Sequence, residues 1–153
     1  MKQRLDMQIE KMKMCHLAEV EKIEQLCFPD AWSMEQFVEE ISDNEARTYW
    51  ITSQKDTVIG YCGMWQILDE AHTMNLAVHP DYRRLGVADA LLQTMIALAN
   101  QNKLSAMTLE VRGSNVPALR LYKKYGFLEA GVRRNYYANP TDHAVIMWKT
   151  MAE

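Results

Sequence analysis

Hydrophobic positions recur along the chain with two different periods, and the switches between them predict its elements. Residues 7–13 read as a short edge strand. Leu17, Val20, Ile23 and Cys27 then recur at helical spacing, predicting an amphipathic helix that ends at Pro29. Ser33 with Gln36 forms a capping box, and Trp32 before it is placed to staple onto Phe37. Met34, Phe37, Val38 and Ile41 give a second short helix one apolar face. Residues 47–53 and 57–68 are predicted strands joined by a polar turn at Gln54, Lys55 and Asp56. The second of these is apolar on both faces, which places it mid-sheet.

Asp69 and Glu70 turn the chain into a strand over 72–78, with His72, Met74, Leu76 and Val78 on one face and Thr73, Asn75 and Ala77 on the other. Pro80 and Asp81 stop it. Val87, Leu91, Met95 and Leu98 then mark a long helix, closed by the polar run at 100–103. The next strand, 105–112, sends Met107, Leu109 and Val111 one way and Thr108, Glu110 and Arg112 the other. Gly113, Ser114 and Asn115 can cap a helix whose first turn tolerates Pro117. Ala118, Leu121, Tyr122 and Tyr125 share a face of it, and Gly126 ends it. Phe127 opens a strand running to about Val132, and 143–150 closes the sheet.

The resulting order, β-α-α-β-β-β-α-β-α-β-β, defines a mixed α/β sheet with helices on both faces. Its three early consecutive strands suit hairpins. The two strand-helix-strand units from residue 72 onward imply parallel pairing there. At 153 residues the chain reads as one domain with a real core. A net charge of −3 gives no electrostatic case for nucleic acid as a partner. Three cysteines without a CxxC suit a reducing compartment. No apolar run reaches the roughly 20 residues of a membrane span, and residues 1–14 lack the apolar core of a signal peptide. A cytoplasmic protein is the expectation. His16, His72, His79 and His143 show no metal-ligand spacing, so no metal is expected.

The first candidate chemistry lies where the long helix opens. Arg83, Arg84, Leu85, Gly86, Val87 and Ala88 put two cations and two small residues at a helix N-terminus, where N–H groups lack internal partners. That is the make-up of a phosphate or pyrophosphate site. It has neither the Gly-Lys-Ser/Thr ending of a nucleoside-triphosphate loop nor the Gly-x-Gly-x-x-Gly of dinucleotide folds. An Arg-rich turn capping a surface helix has the same composition.

Arg83-x-x-Gly86-x-Ala88 between strand and helix resembles the acetyl-CoA pyrophosphate loop of the GNAT family of N-acetyltransferases. Residues 69–92, 109–127 (LEVRGSNVPALRLYKKYGF), 133–137 (RRNYY) and the FPDAWS turn at 28–33 are similar to the RimI-type branch of that family. These are bacterial enzymes acting on the N-terminal alanine of a small-subunit ribosomal protein. The resemblance implies the acyl-CoA N-acyltransferase fold, with a mostly antiparallel central sheet, and acetyl-CoA as acetyl donor. It makes Glu110 the general base and Tyr122 the general acid. Leu76, Ala77 and Val78 would pair their backbone with the pantetheine arm, and Arg83 with Arg84, Leu85, Gly86, Val87, Ala88 and Asp89 would line the pyrophosphate. Asn115 and Tyr122 would meet the cofactor near the thioester, and Arg133, Tyr136 and Tyr137 would border the acceptor groove. Asp89 departs from the pattern: an acid suits the helix dipole but repels a diphosphate, so it is expected to point outward.

The residue chemistry is compatible with these roles. An α-amino group of pKa about 7.7–8 is largely protonated near neutrality, and a carboxylate within reach can take that proton. A phenol can protonate the departing thiolate. A backbone N–H near Val78 is the candidate donor to the oxyanion. Plainer readings stand beside them: Glu110 as a surface charge paired with a nearby Arg such as Arg112, Tyr122 as a packed core ring, Asn115 as a helix cap, and 133–137 as a basic strand end. The expected function is direct transfer of acetyl to a protein N-terminus, with no covalent enzyme intermediate. Transfer to a lysine or small amine, or a silent CoA-binding module, are the alternatives.

Overall fold

The computed structural model describes residues 6–42, 46–138 and 140–151. The element order is β1 (Gln8–Lys11), α1 (Leu17–Cys27), α2 (Met34–Ile41), β2 (Arg47–Gln54), β3 (Thr57–Ile67), β4 (Glu70–Val78), α3 (Val87–Gln101), β5 (Ala106–Arg112), α4 (Val116–Lys124), β6 (Leu128–Tyr137) and β7 (Asp142–Thr150). The seven strands follow the order β1-β2-β3-β4-β5-β7-β6. Of the pairings described, only β4 with β5 is parallel, while β1–β2, β2–β3, β5–β7 and β6–β7 are antiparallel. The mixed, mostly antiparallel sheet expected from the sequence is the one observed.

Two details differ from the expectation. β7 does not close the sheet; it inserts between β5 and β6, leaving β6 at the edge. The second strand-helix-strand unit therefore yields strands that run the same way but are not neighbours, since both pair antiparallel with β7. β6 also continues past Val132 to Tyr137, through a register shift between Arg133 and Tyr137 and a left-handed Asn135 at φ 54°.

The chain groups into two compact units. One comprises Met1–Trp65 and Met74–Met95, the other Gln66–Thr73 and Ile96–Glu153. In the first, β3 carries helices on both faces. Tyr61 faces α2, its ring 5.8 Å from that of Phe37, which is fully buried. Gly60, one position away and so on the opposite face, lies under α3: a Cβ there would come within 3.2–3.3 Å of Val87 and Leu91. The turn into α2 forms as its local chemistry dictates. Gln36 N–H donates to Ser33 Oγ at 3.2 Å, Ser33 N–H donates to Gln36 Oε1 at 2.8 Å, and the Trp32 and Phe37 rings sit 5.4 Å apart. The β2–β3 hairpin closes through Lys55 and Asp56, both at positive φ, as a two-residue hairpin turn requires.

In the second unit, the β4–β5 ladder has three pairs, Glu70 to His72 against Ala106 to Thr108. Leu76, Ala77 and Val78, later on β4, belong to the first unit. α4 begins at Asn115, whose Oδ1 accepts from Ala118 N–H at 3.2 Å, and ends where Gly126 adopts φ 91°.

Candidate active site

The first unit holds the anion loop. His79, Pro80 and Asp81 form a tight turn in which His79 Nδ1 accepts from Asp81 N–H at 3.1 Å. Arg84 and Gly86 then take positive φ, 64° and 82°. No atom lies within 4 Å of where a Gly86 Cβ would stand, so its φ, not space, is what favours glycine there. Left-handed residues alternating with ordinary ones turn backbone N–H groups into an anion-binding concavity. Ala90 N–H donates to Gly86 O at 3.0 Å, so the N–H groups of Val87 and Ala88 precede the first intrahelical bond of α3. Arg84, Leu85 and Gly86 are exposed. The residues present therefore fit a diphosphate.

Arg83 is turned to another use. Its Nε donates to Val78 O and its Nη2 to Cys27 Sγ, each at 3.4 Å. The guanidinium thus ties the end of α1 to the end of β4. Ala77 and Val78 are buried, Leu76 partly so, and Asp89 is half-buried in the first turn of α3.

One residue here escaped the sequence reading. Glu24 of α1 is only 2% exposed, and its carboxylate accepts from Tyr61 Oη, from Trp32 N–H at 2.8 Å and from Asn75 Nδ2 at 3.3 Å. The signal was present: Leu17, Val20, Glu24 and Cys27 share one helical stripe, so an acid lies on an apolar face. Burial raises its pKa, and the three hydrogen bonds counter only part of that. A carboxyl with a raised folded-state pKa stabilises the fold fully below its unfolded pKa of about 4.3. That contribution is lost as pH rises through the folded value. The melting temperature of Glu24→Gln minus that of the wild type should therefore increase from pH 4 to pH 7. A pH-independent difference would show that the carboxyl is not desolvated.

The second unit holds the proposed acid and base. Glu110 projects from β5, its side chain 29% exposed, with Oε1 3.3 Å from Arg133 Nη2 on β6. The partner is not Arg112, whose Nη1 and Nη2 instead donate to Pro140 O and Ala138 O, each at 2.8 Å. From Arg133 the contacts continue: its guanidinium lies 5.6 Å from the Tyr136 ring, and Tyr136 meets Tyr137 edge-on at 5.1 Å. Burial, and secondly the negative charge of Glu110, push the Tyr137 phenol up to about 12. Glu110 is thus brought together with Arg133, Tyr136 and Tyr137, a cluster well separated from it in sequence.

Tyr122 is 7% exposed on α4, its ring edge-on to Phe127 at 5.6 Å. It is both a packed ring and a phenol held in a fixed place. Asn115 caps α4, so its Oδ1 is engaged by the helix. Among the described residues no group of three His, Cys, Asp or Glu could hold a metal ion, and no helix is long and apolar enough to cross a membrane.

One unit thus carries a loop after β4 whose backbone suits an anion, and the other, taken by itself, a carboxylate on β5 and a phenol on the helix that follows, groups that acyl transfer to an amine can use. Residues 17–127 match the acetyltransferase (GNAT) family, and the chain belongs to it. It is 36% identical over 129 residues to the Escherichia coli ribosomal protein bS18-alanine N-acetyltransferase, covering 82% of this chain and 84% of that one. It is 33% identical over 147 residues to an N-alpha-acetyltransferase of Sulfurisphaera tokodaii, covering 88% and 87%. The crystal structure of the E. coli ribosomal-protein-S18-alanine N-acetyltransferase superposes with a TM-score of 0.88 at 32% identity, over 96% of this chain and 95% of that one.

Proposed function

We propose that this chain transfers the acetyl group of acetyl-CoA to the N-terminal α-amino group of a protein, in the cytoplasm, the N-terminal alanine of a small-subunit ribosomal protein being the acceptor. The observation carrying this reading is the carboxylate of Glu110, set on β5 in a salt bridge to Arg133 with Tyr136 and Tyr137 beyond it. The negative charge of the carboxylate suits an incoming ammonium, and the aromatic rings beyond it suit the peptide that follows. The naming of relatives for α-amino acetylation supports the same acceptor over a lysine or small amine.

Acetyl-CoA supplies a thioester carbonyl activated toward amines. The protein's part is to place and deprotonate the nucleophile. Glu110 takes a proton from the acceptor ammonium, and the freed amine attacks the carbonyl, forming the C–N bond. The intermediate releases its second nitrogen proton to solvent as the C–S bond breaks, and Tyr122 protonates the departing sulfur. No cysteine is used, so no acetyl-enzyme forms. The positive-φ loop at Arg84 and Gly86 and the opening of α3 hold the diphosphate, while Leu76, Ala77 and Val78 offer backbone groups to the pantetheine arm. Arg133, Tyr136 and Tyr137 receive the acceptor.

The test is incubation with acetyl-CoA and peptides beginning with Ala, Ser or Met, followed by mass spectrometry. The Ala peptide is expected to be acetylated fastest; equal rates, or none, would refute the acceptor assignment.

A further inference from the structure

The chain leaving β5 does more than carry Glu110. Two residues on, Arg112 uses both arms of its guanidinium fork, Nη1 to Pro140 O and Nη2 to Ala138 O at 2.8 Å each. The same group stacks on the Tyr137 ring, 4.5 Å from its centroid. Two residues further, Ser114 holds Asp142 Oδ2 through its N–H at 3.2 Å and its hydroxyl at 2.5 Å. Hydrogen bonds from Ser114 are the main reason the Asp142 carboxyl is held below its ordinary pKa. The end of β6 and the start of β7 are therefore fastened to the exit of β5 at two points, and Tyr137 is fixed between them.

We propose that Arg112 is a positioning residue for acceptor binding: by gripping the Ala138 and Pro140 carbonyls and the face of Tyr137, it sets where Tyr137, Tyr136 and Arg133 stand around Glu110. The inference rests on the reading that the acceptor lies along Arg133, Tyr136 and Tyr137. A guanidinium is suited to this because it is planar, so it can stack on a ring while donating two in-plane hydrogen bonds. A lysine keeps the charge but can do neither in that combination. An arginine serving only overall stability would have no selective effect on one substrate. A residue that sets the acceptor wall has one, because a small misplacement of positioning groups is felt in binding and rate.

The experiment is steady-state kinetics on the full chain with an Ala-initiated peptide, measuring both KM values together with the melting temperature. Arg112→Lys is expected to raise the peptide KM by about tenfold, the order that charge-assisted fork bonds support, with the acetyl-CoA KM within about twofold of the wild type. Ser114→Ala loosens the same strand ends while leaving Arg112 in place. It should move the peptide KM in the same direction by a smaller factor, and it tests the proposal even where the lysine variant does not fold. A wild-type peptide KM in both variants, or parallel changes in both KM values, would overturn the proposal. A wild-type chain that fails to acetylate the peptide at all would remove its premise, a result distinguishable because the variants play no part in it.

Discussion

Replacing Glu110 with Gln is expected to slow acetyl transfer by about 10²–10⁴-fold at neutral pH, the range typical of a lost general base. The size of the loss should depend on pH in a particular way. Below about pH 8 most of the acceptor is ammonium and cannot attack until a proton is removed. Above that, free amine is already present, and the deficit of the Gln variant narrows. Gln keeps the shape of the side chain but loses the negative charge that meets Arg133 at 3.3 Å. Arg133 is exposed and Glu110 partly so, so the pair contributes little to stability and the variant should fold normally. Rate measurements from pH 6 to 9 check this. A Gln variant as active as the wild type throughout would remove Glu110 from the mechanism.

Tyr122→Phe is expected to lower kcat by a comparable factor with little change in either KM. The ring is nearly buried and packed edge-on to Phe127, and phenylalanine preserves that packing, so the loss isolates the hydroxyl. A proton donor matters only when the departing thiolate is basic. Acetyl donors built on more acidic thiols should therefore restore much of the Phe variant's rate while changing the wild type less. An unchanged kcat in Tyr122→Phe would return Tyr122 to a packing role.

How much of this was legible in the sequence follows from the range over which each feature is determined. The turn into α2 was readable because Ser33, Gln36, Trp32 and Phe37 settle it among themselves. The opening of α3 was readable because Gly86 and its neighbours specify a left-handed turn locally. The place of β7 between β5 and β6 was not, since strand order is decided by distant pairing that periodicity does not encode. The extension of β6 to Tyr137 was hidden for a related reason: Arg133, Arg134 and Asn135 lack an apolar alternation, and the strand is held by β7 instead.

The candidate site divides the same way. Glu110 and Tyr122 can be proposed from the sequence because they fall in compact motifs. Arg133 as the partner of Glu110 was not, nor was the engagement of Arg112 with carbonyls 26 and 28 residues away. Backbone acceptors leave no trace in side-chain identity. Arg83 looked like part of the anion loop by position, yet its side chain serves Val78 and Cys27. Glu24 was overlooked although its stripe was apolar, because its donors come from Trp32, Tyr61 and Asn75 on other segments.

The most direct test of the central claim, that Glu110 and its neighbours serve an N-terminal amine, uses one peptide carrying both a free N-terminal alanine and an internal lysine. After incubation with acetyl-CoA, fragmentation in the mass spectrometer locates the acetyl group. Acetyl on the α-nitrogen is the predicted result; acetyl on the lysine alone would contradict the account.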